Sequence, residues 1–369
     1  MNLSLKQAEA KERNSSFELL RILSIIMIIG YHYVVHGHFS GEESIQNSIL
    51  LDLFSSCGKI GVNVFCLLMG YYGIMSHGAT SKKVLRTETQ VLFYSLLGLA
   101  VGLAFDREML SIKTLSLSFF PTITEHYWFF TAYIIVFSLS GYINSLLRRL
   151  CQEDYIKLLF LCYAFWSIIP FFSLRENQGM FWTQLIWFFV MYVTGAYLQL
   201  YKPRGTKAIY FFVAIASIFI LNISFIVLEF INTYHSIPRR IITYFRWSNS
   251  PFSVIASISL LCTAIYSKEY THKIVNKLAS LVFGIYLFHE NVFIQDMLWR
   301  RILIASTINS ASRLIFHFVL SIILIFAAGG LIEFLRSFFE RGIRKHLDYF
   351  SNKIDFCINS IVSRIISTI

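Results

Sequence analysis

The chain has 369 residues, 56% of them hydrophobic and only 14% charged. Soluble domains average about 25% charged residues, so this balance excludes an ordinary cytosolic domain. The formal charge of +11 invites a nucleic-acid reading, but the placement of the basic residues excludes it. Apolar windows of about 20 residues, the length that crosses a bilayer, recur at 17–37, 57–76, 90–105, 126–146, 155–172, 183–201, 208–232, 251–267, 278–295 and 312–336. They predict an all-α polytopic membrane protein with about ten transmembrane helices.

With the N-terminus in the cytoplasm, the segments on that side hold 21 of the 32 basic residues and the opposite loops hold nine. This positive-inside bias predicts that both termini are cytoplasmic. The charge therefore reflects topology, with membrane lipids and not nucleic acid as the surroundings. One outer loop, with Arg239, Arg240 and Arg246, breaks the pattern and is open to two readings, contact with an anionic acceptor or a plain interfacial segment. The chain divides into a polar leader (1–16), a single membrane domain (17–336) and a basic amphipathic tail (337–369). The tail is expected either as a helix on the anionic inner leaflet or as a solvated segment. The six cysteines show no metal-ligand spacing and read as small apolar residues.

The first span carries Glu18, Arg21 and His32. Ionisable side chains in hydrocarbon cost roughly 2.5–3.5 kcal/mol on insertion scales, which makes them functional candidates. Eleven residues turn a helix through about 1100°, close to three full turns, so Arg21 and His32 share one face about 16 Å apart. Glu18 sits three residues before Arg21 and can pair with it. His36 and His38 follow at the outer interface. These three histidines lack an obvious carboxylate or cysteine partner, so no metal site is expected.

The second span, Gly58 to Gly73, holds Asn63, an amide that needs a partner in lipid; the histidine-bearing span offers one. The fourth opens on His126, Tyr127, Trp128 and Phe129 and continues to Tyr133. The ninth contains Gly284, Ile285, Tyr286, Leu287 and His289. With this topology His32, His126 and His289 fall at similar depth, which suggests a shared polar cavity.

These motifs, in this order, resemble acyltransferase family 3, a family of bacterial integral-membrane proteins. The resemblance rests on Arg21 and His32 in the first span, on Gly61-Val-Asn63-Val-Phe65 to Gly70-Tyr71 in the second, and on Trp128-Phe129 with Tyr133 in the fourth. Tyr192, Gly195, Tyr197 and Leu198 extend it, and Gly284-Ile285-Tyr286-Leu287 with His289 completes it. Two positions depart from the pattern: Met69 stands where the family has serine before Gly70, and no proline precedes Asn144.

The resemblance implies a membrane-bound O-acyltransferase of the bacterial cell membrane. It implies transfer of acetyl from cytoplasmic acetyl-CoA, a co-substrate and not a bound cofactor, to a hydroxyl of a cell-surface or lipid-linked polysaccharide sugar. His32 and Arg21 are then the catalytic candidates. Glu18, Asn63, Trp128, Tyr133, Tyr286 and His289 are the candidates for donor or acceptor binding. The alternative class is a transporter or flippase for a lipid-linked glycan, which also needs charges within the membrane. Sequence leaves the oligomeric state open.

Overall fold

The computed structural model describes residues 13–39, 43–76, 78–173 and 181–368, apart from the side chains at 181, 182, 367 and 368. Lys6, Lys11 and Arg175, with most of the polar leader, lie outside the described residues. All regular elements described are helices.

Helix α1 (Ser15–His36) opens on Asn14, whose side chain accepts from the Ser16 amide at 3.0 Å. Helix α2 (Ile45–Ser55), capped by Ser44, runs into α3 (Gly58–Gly73), and together they make one crossing segment. Thr80 caps α4 (Ser81–Phe105) by accepting from the Lys83 amide, and the short α5 (Ile112–Phe119) packs back on it. Such caps satisfy amides that have no partner inside the helix. There follow α6 (Trp128–Leu147), then α7 (Gln152–Tyr163) leading through a π-helical turn into α8 (Ile169–Phe172), and α9 (Phe181–Leu200). Helix α10 (Lys207–Asn232) and the single turn α11 (Arg239–Ile242) precede α12 (Pro251–Ile265), which starts on a proline where no amide is missed. The last elements are α13 (Lys273–Ala279), α14 (Val282–Glu290), α15 (Val292–Met297) and α16 (Ala311–Thr368).

Among the described residues eight helical segments are long and apolar enough to cross a membrane, or nine when the bent pair Lys273–Glu290 and Val292–Ile302 is taken as one. Helix α9, with 20 residues packed along α3, matches the remaining expected window. Two windows differ in form. The span expected at 90–105 is the C-terminal part of a 25-residue helix. The added first part carries Lys82, Lys83 and Arg86, which lower its hydropathy: Lys83 lines an internal cavity, and Lys82 and Arg86 pair with Asp348 of α16. The span expected at 278–295 is broken, with a bend of 71°. At the break Asn291 is extended, and its side chain accepts from the amides of Phe293 and Ile294. Asn291 thus ends α14 and caps α15.

Helix α3 runs against α1, α9 and α12. Its crossing with α9 is held close by glycines on both sides: a Cβ at Gly70 would strike the Tyr192 carbonyl, and one at Gly195 the Leu67 carbonyl. Small residues allow this approach in membranes. Two charge networks with buried carboxylates tie helices together. Asp52 and Glu229 both pair with Arg239. Glu333 binds Arg336 at 2.8–2.9 Å and accepts from the Tyr94 hydroxyl at 2.9 Å.

Residues 337–368 continue α16 without a break. At 58 residues the helix is roughly 87 Å long at 1.5 Å per residue.

Candidate active site

A cavity of about 690 Å³ runs between α1, α3, α4, α6 and α14. Antiparallel packing decides what lies at each end. One end gathers the start of α1 (Arg21), the end of α3 (Tyr72, Gly73) and the start of α4 (Lys83, Thr87). The other gathers the end of α1 (His32, His36), the start of α3 (Lys59), the start of α6 (Trp128) and the end of α14 (Tyr286, Glu290). The waist between them is apolar, with Ile28, Phe65, Leu68, Phe129 and Phe283 on its walls.

At the first end Arg21 makes an ion pair with Glu18 at 3.3 Å, and its guanidinium carbon lies 5.8 Å from the Tyr72 ring centre. Glu18 is buried and does not line the cavity; it aims Arg21. At the second end His32 Nδ1 lies 3.1 Å from His289 Nε2, and His289 Nδ1 lies 2.7 Å from the Ile285 carbonyl oxygen. A carbonyl can only accept, so His289 carries its proton on Nδ1 and presents a lone pair at Nε2. His32 then donates from Nδ1, which leaves the lone pair of its own Nε2 available. The carboxylate Oε2 of Glu290 stands 3.0 Å from the same Nδ1 of His32. This chain, from a backbone carbonyl through one imidazole to a second with a carboxylate beside it, holds His32 in the tautomer a base requires. A carboxylate next to Nδ1 also stabilises the imidazolium formed when Nε2 takes a proton.

The other sequence candidates divide. Trp128, Tyr133 and Tyr286 line the cavity with His32 and Arg21. Asn63 does not pair with the histidine-bearing span: it donates to the Ser248 carbonyl at 2.8 Å and accepts from the Trp187 indole at 2.9 Å. It lies on the face of α3 turned away from α1, where it ties α3 to α9 and the loop before α12. His126 does not join the His32–His289 pair either. Its Nε2 lies 3.2 Å from the Asn291 amide, which also donates to the Tyr127 hydroxyl at 2.8 Å. Arg239, from the loop that also holds Arg240 and Arg246, pairs with Asp52 and Glu229 while half of its side chain stays exposed. The guanidinium of Arg246 lies 5.3 Å from the Tyr31 ring centre.

Three cavity residues at the His32 end were missed by sequence reasoning: Glu290, Lys59 and Tyr31. A signal existed for Glu290, which directly follows His289 at a helix end. Lys59 sits 4.7 Å from the Tyr31 ring centre; as a residue at a span's edge it reads like any snorkelling lysine. Among the described residues, His32, His36 and Glu290 form a donor set that could hold a metal ion, with ligand atoms within 4.8 Å of one another; Glu290 is the carboxylate partner that the sequence did not offer these histidines.

Searches of curated proteins and of solved structures returned no match. The family model described as an acyltransferase domain, that of acyltransferase family 3, matches residues 14–332. That stretch contains Arg21, His32, Tyr286, His289 and Glu290 and both ends of the cavity. The chain belongs to acyltransferase family 3 and is a multi-pass membrane acyltransferase.

Proposed function

We propose that this protein is an O-acetyltransferase of the bacterial cytoplasmic membrane. It takes acetyl from cytoplasmic acetyl-CoA and passes it to a hydroxyl of a cell-surface or lipid-linked polysaccharide sugar. The observation that carries this reading is the single cavity with Arg21 at one end and His32, in a defined tautomer, at the other. In this reading both termini, and the Arg21 end, face the cytoplasm.

Arg21, aimed by Glu18, binds the anionic or carbonyl part of the donor. The pantetheine arm threads the apolar waist, and the roughly 16 Å rise between Arg21 and His32 suits a ligand of that length. The acceptor sugar sits at the other end against Trp128 and Tyr286. Nε2 of His32 removes the proton of the sugar hydroxyl as its oxygen attacks the thioester carbonyl. The carbon–sulfur bond breaks, coenzyme A leaves as its thiolate, and the proton on His32 passes to that sulfur. His289 holds His32 throughout by its hydrogen bond, with Glu290 beside the same nitrogen. A relay in which His32 itself first accepts the acetyl uses the same residues and the same lone pair.

The test is ester-linked acetate on envelope glycans from a deletion strain complemented with wild type or with His32→Ala at matched membrane levels. Acetate lost on deletion and restored by wild type only is the expected result. Full restoration by His32→Ala overturns the mechanism. Unchanged esters with altered glycan export would instead make the protein a transporter.

A further inference from the structure

Beyond the last membrane span α16 carries an apolar stripe with an eleven-residue repeat. Phe339, Phe350 and Ile361 form one row and Ile343, Ile354 and Ile365 a second, each at intervals of eleven; Leu347 and Ile358 supply a third. The spacing along the chain is 4, 4, 3, repeated, or 3.67 residues per turn. That period keeps one face in register along a partner helix when the two wind in a right-handed supercoil.

The stripe has no cover among the described residues. Seven of its eight side chains are exposed, from 41% at Ile354 to 72% at Phe339. On a helical wheel it lies about 115° from Asp348 and Asp355, at 100° per residue. Those two aspartates are the groups that engage α4: Asp348 pairs with Lys82 and Arg86 at 2.7 Å, and Asp355 accepts from Ser81. The start of α4 thus fixes the extension along the axis of the last span and leaves the apolar face turned outward. A helix so continuous with a crossing segment cannot also lie along the bilayer surface without a break between them.

We infer that the extension of α16 binds the same segment of a second copy of this chain, as a parallel coiled coil. Copies in one membrane share their orientation, so their extensions emerge on the same side and meet parallel and in register. The size suffices. At about 200 Å² for a free Phe or Ile side chain and the exposures above, the stripe offers roughly 800 Å² per copy, the area a stable interface takes from each partner. Cys357 is exposed and lies one position from Ile358, at the edge of the stripe.

The experiment uses the full-length protein in its membrane with the other exposed cysteine removed, Cys151→Ser. Copper-phenanthroline oxidation is expected to give a disulfide-linked dimer, lost in Cys357→Ser. The dimer should fall at least tenfold in a variant carrying Ile354→Asp, Ile358→Asp and Ile361→Asp at equal membrane levels. Single-molecule photobleaching of the unoxidised protein should show two copies per spot, reduced to one by the triple variant. A monomer by photobleaching, or a dimer that the triple variant leaves intact, overturns the inference. So does quenching of a fluorophore on Cys357 by bromolipids, which would place the extension on the bilayer.

Discussion

At the scale of single residues, the proposed chemistry of His32 depends on which nitrogen carries the proton, and the Ile285 carbonyl decides it through His289. The Ile285 oxygen orients His289, His289 orients His32, and Glu290 stands against the same His32 nitrogen. His32→Ala should lower acyl transfer by about 10²–10⁴-fold, the usual worth of a general base. Glu290→Gln keeps size and removes charge; a loss in kcat of up to about 10⁴-fold with little change in donor KM is expected, as when a carboxylate beside an imidazole is neutralised. Steady-state assay in nanodiscs with acetyl-CoA separates the two parameters, and an unchanged kcat would remove Glu290 from the scheme. Arg21 belongs to the opposite end. Arg21→Gln removes a charge-assisted contact worth about 1.5–3 kcal/mol, so donor KM should rise about 10- to 100-fold with kcat nearly kept. A loss confined to kcat would place Arg21 in the chemical step instead.

At the scale of elements, the cavity exists because α3 is pressed against α9 while α1 and α14 bring their histidines together. Gly195 shows how narrow that crossing is, since any side chain there meets the Leu67 carbonyl. Gly195→Ala should cost about 1–3 kcal/mol through overpacking, seen as a fall in melting temperature of the detergent-solubilised protein. Gly342 is the control. It lies in α16 with open space around its Cβ position, so alanine there should raise helix stability by about 1 kcal/mol and leave the melting temperature equal or higher. Equal behaviour of the two variants would rule out a tight α3–α9 contact. The break at Asn291 matters at this scale too. It is legible as a polar Glu290-Asn291 step inside an apolar run, yet hydropathy averages it into one span. What ends α14 there is Asn291 capping the next helix while its amide reaches across to Tyr127, a partner 164 positions away.

At the scale of the whole molecule, a donor and an acceptor can approach one site from opposite sides of the membrane only if the cavity has two ends. Lys83 and Lys59 mark them. In a background of Cys151→Ser and Cys357→Ser, a membrane-impermeant maleimide added to intact cells should label Lys59→Cys directly and Lys83→Cys only after permeabilisation. Labelling of both from one side would contradict the two-ended path and the proposed cytoplasmic placement of Arg21 together.

Much of the architecture can be read from the chain, because lipid imposes a rule on every span: about 20 apolar residues with polar exceptions that must be explained. Ten windows, the shared face of Arg21 and His32, and the Glu18–Arg21 pair all follow from local spacing, since a helix sets its own angles and rises. Partners across helices do not. Asn63 and His126 have the same polar, intramembrane character as His289, yet only His289 meets His32; Asn63 turns to Trp187 and His126 to Asn291. Which face of α3 looks at α1, and where α14 stops, depend on glycine contacts and caps spread over hundreds of positions. Those contacts bring Glu290 and Lys59 to the cavity and give Arg239 to Asp52. Helical periodicity belongs to each segment alone, whereas the juxtaposition of two segments is a property of how all of them pack.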